Sequence, residues 1–272
     1  MKRNIIAAVL IICGLAAVLL LVPEGNRQWV LSRWDGVRGG LPGDMSQAPG
    51  KAPAQDTAAI AQEIIRLSNT ARQEQGLQPV TELNDLTEAA LGHSEEMASL
   101  NYFAHESPTP GSQNPGDRVR LAGSWDVGVA ENIYRCKGFP TGTEAAKCVD
   151  SWLNSPAHRA NLLNPKYNSI GLGVYQVGTT FYVTQVFSQH DVHVDQARKE
   201  GNRMTLAGSV PGGRSAKGAI FLDNQFLSKF ETDASGKFEV EFEASRPGVV
   251  GIGIQGEGNS FRIVSKRALD KV

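Results

Sequence analysis

Cysteine is scarce in this chain of 272 residues. Three occur, too few for a scaffold built from disulfides and enough for one bridge. An excess of charge is also lacking: 27 Lys and Arg stand against 28 Asp and Glu, a formal net charge of −1. That balance excludes a general electrostatic attraction to nucleic acid or to anionic membrane surfaces. The segment from Arg203 to Lys266 contains no histidine and no cysteine. Between Gly36 and Gln55 large apolar side chains are almost absent, and Gly, Pro, Ala, Gln and Asp dominate. Such a stretch reads as a flexible tether.

What is present begins at the amino terminus. Met1-Lys2-Arg3-Asn4 is basic, and Ile5 to Val22 is an unbroken uncharged run. As a helix it would span roughly 27 Å, near the hydrocarbon thickness of a bilayer. No small-x-small cleavage site follows at Leu21-Val22-Pro23-Glu24. Cys13 sits in mid-run after Ile12, unlike a lipoprotein cysteine. The reading is an uncleaved transmembrane anchor over residues 1–22, with Lys2 and Arg3 on the cytoplasmic side and a linker over 23–56. The folded parts would then lie outside the cytoplasm, periplasmic or extracellular.

Regular structure is expected from Asp56-Thr57, a capping pair before Ala58 to Gln75. Ile60, Ile64, Leu67 and Ala71 share one helical face, and Gly76 and Pro79 stop the helix. A second helix starts near Asn84 or Asp85 and carries His93 on its apolar face. Two readings of His93 are open: a core histidine, or a wall of a cleft. His105 follows that helix, and Asp117 to Leu121 reads as a short helical turn. Glu131, in Ala130-Glu131-Asn132-Ile133, sits where burial would be costly unless the carboxylate is paired or ligating. A third helix runs from Glu144 to about Asn154, and Ser155-Pro156 opens a short one carrying His158. Two histidines and a glutamate in three segments suit a divalent-metal site or an acid–base pair.

Cys136 and Cys148 close an eleven-residue loop. In an exported domain the expected outcome is a disulfide, contributing roughly 2–3 kcal/mol by loop entropy. A thiol nucleophile is the alternative. His190 and His193 flank Asp191-Val192 and read either as solvated residues or as metal donors. The charged segment Asp195 to Arg203 reads as a linker. Beyond it, Lys237-Phe238-Glu239-Val240-Glu241-Phe242-Glu243 alternates as a strand should, and recurring turn signals give five or six short strands, a small all-β sandwich-like domain over 203–267.

Phe103-x-His105, Glu131-Asn132-Ile133, Trp152-x-x-Ser155-Pro156-x-His158-Arg159-x-Asn161 and the strand pair Gly171–Val174 and Tyr182–Phe187 resemble the bacterial, SCP-like branch of the CAP superfamily. That superfamily groups cysteine-rich secretory proteins, antigen 5 and pathogenesis-related proteins. The resemblance implies an α+β fold over residues 57–192, an α-β-α sandwich with one large cleft. It also implies a cleft of two histidines and two glutamates, with His105, Glu131 and His158 filling three places. The fourth is missing: Ser155 stands three residues after Trp152, where many relatives have glutamate. Ala130 likewise replaces a frequent glycine. Three donors could still hold a divalent metal such as zinc with an open position.

For function, the leading reading is a membrane-anchored binding module that takes a small ligand, a peptide or a glycan in this His/Glu cleft. The alternatives are a metal-assisted hydrolase of the cell envelope, with Glu131 activating water, and a purely structural envelope protein. No serine or cysteine nucleophile stands beside a histidine in any of these motifs, which weighs against an enzyme. The β domain is expected to dock to an envelope component or to pack on the first domain.

Overall fold

The structure is a computed structural model that describes residues 56–137, 142–213, 215–258 and 260–269. The expected anchor and tether therefore lie outside the described residues. No helix among those described is long and apolar enough to cross a membrane.

Helix α1 (Thr57–Glu74) starts where Asp56 accepts a hydrogen bond from the Ala59 amide at 3.1 Å. The chain continues through β1 (Thr81–Glu82), α2 (Asn84–Ser99), α3 (Pro115–Leu121), β2 (Val129–Lys137), α4 (Glu144–Leu153), α5 (Pro156–Leu162), β3 (Ser169–Val177) and β4 (Thr180–Ser188). These strands form one sheet in the order β1-β3-β4-β2, with β1 parallel to β3 and the other pairs antiparallel.

Both faces of this sheet are covered, as alternation along its strands dictates. Ile170, Leu172 and Val174 of β3, with Phe181, Val183 and Phe187 of β4, pack on one side against Ile64 of α1 and Val149 and Trp152 of α4. On the other side Val186 meets Leu86, Ala89 and Ala90 of α2 and Val119 of α3. Helix α2 approaches β3 so closely that only glycine fits beneath it. A Cβ on Gly171 would lie 2.1 Å from the Leu86 carbonyl carbon, and one on Gly173 would lie 2.2 Å from the Leu91 amide nitrogen.

Arg72, 1% exposed, ties α1 to the far end of α5. Its guanidinium donates to the carbonyls of Gln78, Leu162, Asn164 and Tyr167 at 2.9–3.0 Å. A buried cation satisfied by four carbonyls fixes the loop that follows His158.

The expected bridge between Cys136 and Cys148 is not formed: both are free thiols, buried in the same core. Burial, with Cys136 beside it, raises the Cys148 thiol well above its ordinary value. Packing of α4 on the sheet joins the ends of the intervening segment without a covalent link, and the two sulfurs behave as small apolar groups.

The carboxy-terminal region is all β. Strands β7 (Lys217–Leu222), β8 (Gln225–Glu231), β10 (Val249–Gln255) and β11 (Phe261–Ala268) form a sheet in the order β11-β10-β7-β8. A second sheet has the order β5-β6-β9, from β5 (His193–Glu200), β6 (Arg203–Ser209) and β9 (Lys237–Glu243). Met204, Leu206, Phe238, Val240 and Phe242 of one meet Ile220, Val250, Ile252 and Val264 of the other in a shared core. The strand expected over Lys237–Glu243 is β9, with alternate residues buried.

The segment from Asp195 to Arg203, expected as a linker, is corrected: it is β5, its turn and the start of β6. Only Val194 and Ala197 of β5 reach the core, and a register shift between Val194 and Gln196 breaks their alternation. Polar side chains on an outer strand hid the strand signal.

This region is joined to the first by backbone. Asp126 and Ser265 form an isolated antiparallel bridge, and the Lys266 amide donates to the Trp125 carbonyl at 2.7 Å. Arg267 donates to the Gly123 carbonyl at 2.6 Å, with its guanidinium 5.8 Å from the Trp125 ring centroid.

The close approach of α2 to β3 sets a sharp expectation. Gly173→Ala forces backbone apart and should cost about 3 kcal/mol, read as a lowered urea midpoint. A cost under about 1 kcal/mol would contradict this packing.

Candidate functional site

Strand β2 carries Glu131 opposite Val186 of β4. Its side chain is 1% exposed, so the carboxylate is cut off from bulk water. Three basic groups surround it. His105 Nδ1 lies 2.9 Å from Oε1, Arg118 Nη2 lies 2.6 Å from Oε2, and His93 Nδ1 lies 3.2 Å from Oε2. Burial works against the charged form, but the hydrogen bond from His105, the close approach of the His93 ring and the charge of Arg118 outweigh it. Together they hold the Glu131 pKa down to about 2.

Arg118, on α3, is itself 6% exposed and serves two tasks. Besides Glu131 it donates to the carbonyls of His105, Ser112 and Gln113 at 3.1 Å. The loop that presents His105 is thereby stapled to the carboxylate. Helix α3 is placed to do this by a capping box between Asn114 and Asp117, with Pro115 at its first turn.

His105 is anchored through Nδ1 while its ring stays 50% exposed. Its centroid is 6.5 Å from that of His158, with the rings tilted by 47°. His158 is half-buried at the start of α5, and burial followed by the charge of His105 lowers its pKa below 6.5. The shift favours its neutral form, which offers a basic nitrogen.

The other motif residues hold this arrangement together. Asn132 donates to the His158 carbonyl at 3.1 Å and to Gln185 at 3.0 Å, and Gln185 donates to Ser68 at 3.0 Å. Asn161 donates to the Glu131 carbonyl at 3.2 Å and to Asn132 Oδ1 at 3.0 Å. The Trp152 indole donates to the Ile133 carbonyl at 3.1 Å. Helix α5 is thus fastened to β2 by carboxamides, which explains why Asn132 and Asn161 accompany Glu131 and His158.

His93 is a core residue beside the Glu131 carboxylate. Its side chain is fully buried, Nδ1 lies within ion-pair reach of Glu131 without hydrogen-bond alignment, and Nε2 has no partner among the described residues. Tyr102 stands 6.0 Å from it, ring to ring, and donates to the buried Glu96 at 2.7 Å. His193 lies elsewhere, exposed beside Asp195. Sequence reasoning missed Arg118. Its one signal was an arginine on a short helix next to a carboxylate that needed a counter-charge.

Among the described residues, no group of three or more His, Cys, Asp or Glu side chains is disposed to hold an ion. The physical reason is that both Glu131 oxygens already face cationic or donor groups. The carboxylate stands behind His105 as its partner, and the three-donor arrangement is not assembled.

Glu131→Gln would leave Arg118 buried without its counter-charge. A loss of about 3–5 kcal/mol is expected by urea unfolding at pH 7. Because the native pKa is near 2 and the ordinary one is 4.5, Glu131 stabilises the fold above pH 4.5 and loses that contribution as pH falls toward 2. The variant should lack this acid-sensitive component. A small, pH-independent change would contradict the arrangement.

Comparison with known proteins agrees with the geometry. The profile of the family described as "CAP: Cysteine-rich secretory protein family" matches residues 65–188. The chain is 36% identical over 150 residues to the uncharacterized protein YkwD of Bacillus subtilis, covering 52% of this chain and 55% of YkwD. It is 39% identical over 112 residues to the uncharacterized membrane protein YlbC of the same species, covering 41% and 30%. The chain thus spans about half or less of these relatives. Among solved structures, an extracellular protein containing a SCP domain from Bacillus anthracis is 29% identical, with a TM-score of 0.44 over 51% of this chain and 45% of that one. Residues 65–188 are a CAP domain of the bacterial SCP-like type.

Proposed function

We propose that the chain is a membrane-anchored, extracytoplasmic binding protein whose CAP cleft takes a small ligand, a peptide or a glycan end between His105 and His158. One observation carries the reading. His105 is fixed through one nitrogen on a buried carboxylate while its ring, half exposed, stands opposite His158, whose neutral form is favoured. Two oriented imidazoles at an open surface suit recognition of hydrogen-bonding groups, one ring donating and the other accepting.

The metallohydrolase alternative asks Glu131 to take a proton from water. A carboxylate with a pKa near 2 and both oxygens engaged is a poor general base at neutral pH. The geometry therefore supports binding over hydrolysis. The anchor rests on the apolar run Ile5–Val22. The all-β region would supply a second contact to the envelope.

Native mass spectrometry of the full chain taken from its own cells tests the reading. A bound small molecule should be retained by the unmodified chain and by His193→Ala, and lost from His105→Ala and His158→Ala. Bare chain in every case would overturn it. Calorimetric titration with zinc chloride at pH 7 separates the metal version. A stoichiometric site lost in His158→Ala would favour it, and no heat of binding would remove it.

A further inference from the structure

A second site lies where the two regions meet. A cavity of about 370 Å³ opens between the start of α2, the loop Ala122–Trp125 and the segment leading into β5. Its lining includes none of His93, His105, Arg118, Glu131 and His158, and its volume is in the range of small-molecule pockets.

One residue in its wall is held with unusual completeness. His190 is 9% exposed. The carboxamide of Asn168 clamps its backbone from both sides, accepting from its amide at 2.8 Å and donating to its carbonyl at 2.9 Å. Its Nδ1 lies 3.0 and 3.2 Å from the two oxygens of Asp126, whose side chain is fully buried and also accepts from Ser188 Oγ at 2.6 Å. Every polar group of His190 is thus engaged except Nε2, which has no partner among the described residues. Burial disfavours its charged form, but Asp126, Asp85 and Asp191 outweigh that and raise its pKa. With Nδ1 committed to Asp126, Nε2 is the ring atom left for a ligand, and the raised pKa favours the form in which it donates.

The lining also carries acidic groups. Asp85 lines the cavity with one oxygen bonded to the Leu86 amide at 2.8 Å. Glu82 lines it too, but its oxygens already accept from Thr87 and Gln62. Of the remaining charged groups, His193 and Asp195 pair at the rim, and Asp191 is taken by Arg262. Helix α2 opens without a side-chain cap on Leu83, and Asn84 and Asp85 are cavity-lining residues. Leu83, Trp125, Val192 and Val194 supply the apolar surface between donor and acceptor.

A fixed imidazole, a carboxylate and apolar side chains lining one space of this size complement a small zwitterion. We propose that this cavity binds a free α-amino acid with an apolar side chain, its carboxylate on His190 Nε2 and its ammonium on Asp85. The side chain lies on Leu83 and Trp125.

The test is calorimetric titration of the full chain with L-leucine, N-acetyl-leucine and leucine amide. L-Leucine should bind with one site, and each analogue, lacking one charge, at least tenfold more weakly. His190→Gln and Asp85→Asn should each weaken L-leucine at least tenfold, while His105→Ala leaves it unchanged. Asp85, half-buried at a helix start, keeps the test available if His190→Gln does not fold. Absence of L-leucine binding at millimolar concentration, equal binding of either analogue, or insensitivity to Asp85→Asn would each overturn the proposal.

Discussion

A single buried carboxylate organises the CAP domain. Removing Glu131 from water carries a desolvation cost of several kcal/mol, and the chain offsets it with Arg118 and two histidines. That requirement fixes much else. Arg118 must be buried to reach it, so α3 must be capped and turned toward β2. Because the same guanidinium holds the carbonyls of His105, Ser112 and Gln113, the irregular loop after α2 acquires a definite path. His105 is then oriented from both its backbone and its ring.

The second half of the site is built by neutral hydrogen bonds. Asn132, Asn161 and Gln185 bridge β2, β4 and α5, and Arg72 of α1 holds the end of α5. His158 consequently faces His105 at a fixed distance although the two come from separate segments. Charge orients one imidazole, and a carboxamide holds the backbone that carries the other. Such a division favours the neutral form of His158 and couples His105 to a permanent anion, so the rings differ in hydrogen-bonding character.

Much of this was legible in the chain, and the illegible parts have physical causes. Helical periodicity placed α1, α2 and α4 within a residue or two, and Ser155-Pro156 marked the start of α5. His105, Glu131 and His158 stood out as chemistry in small or aromatic surroundings. Arg118 did not, because a buried arginine and a solvated one look alike until the counter-charge is located in space. His93 was ambiguous for the converse reason: an apolar helical face conceals what it points at. Cys136 and Cys148 were spaced for a bridge, yet spacing along the chain does not say how a helix settles on a sheet. Strand β5 escaped because only Val194 and Ala197 reach the core, too few to outweigh its charges.

The account rests on Glu131 being permanently ionised. Selective 13C labelling of glutamate, with Glu131 assigned by comparison with the Gln variant, allows its carboxyl resonance to be followed by NMR from pH 7 down to the onset of acid unfolding. The carboxyl should show no titration through pH 4.5 and begin to protonate only near pH 2 or as the fold is lost. A midpoint at 4 or above in the folded protein would contradict the account, because Arg118 and the histidines would then not be holding the charge.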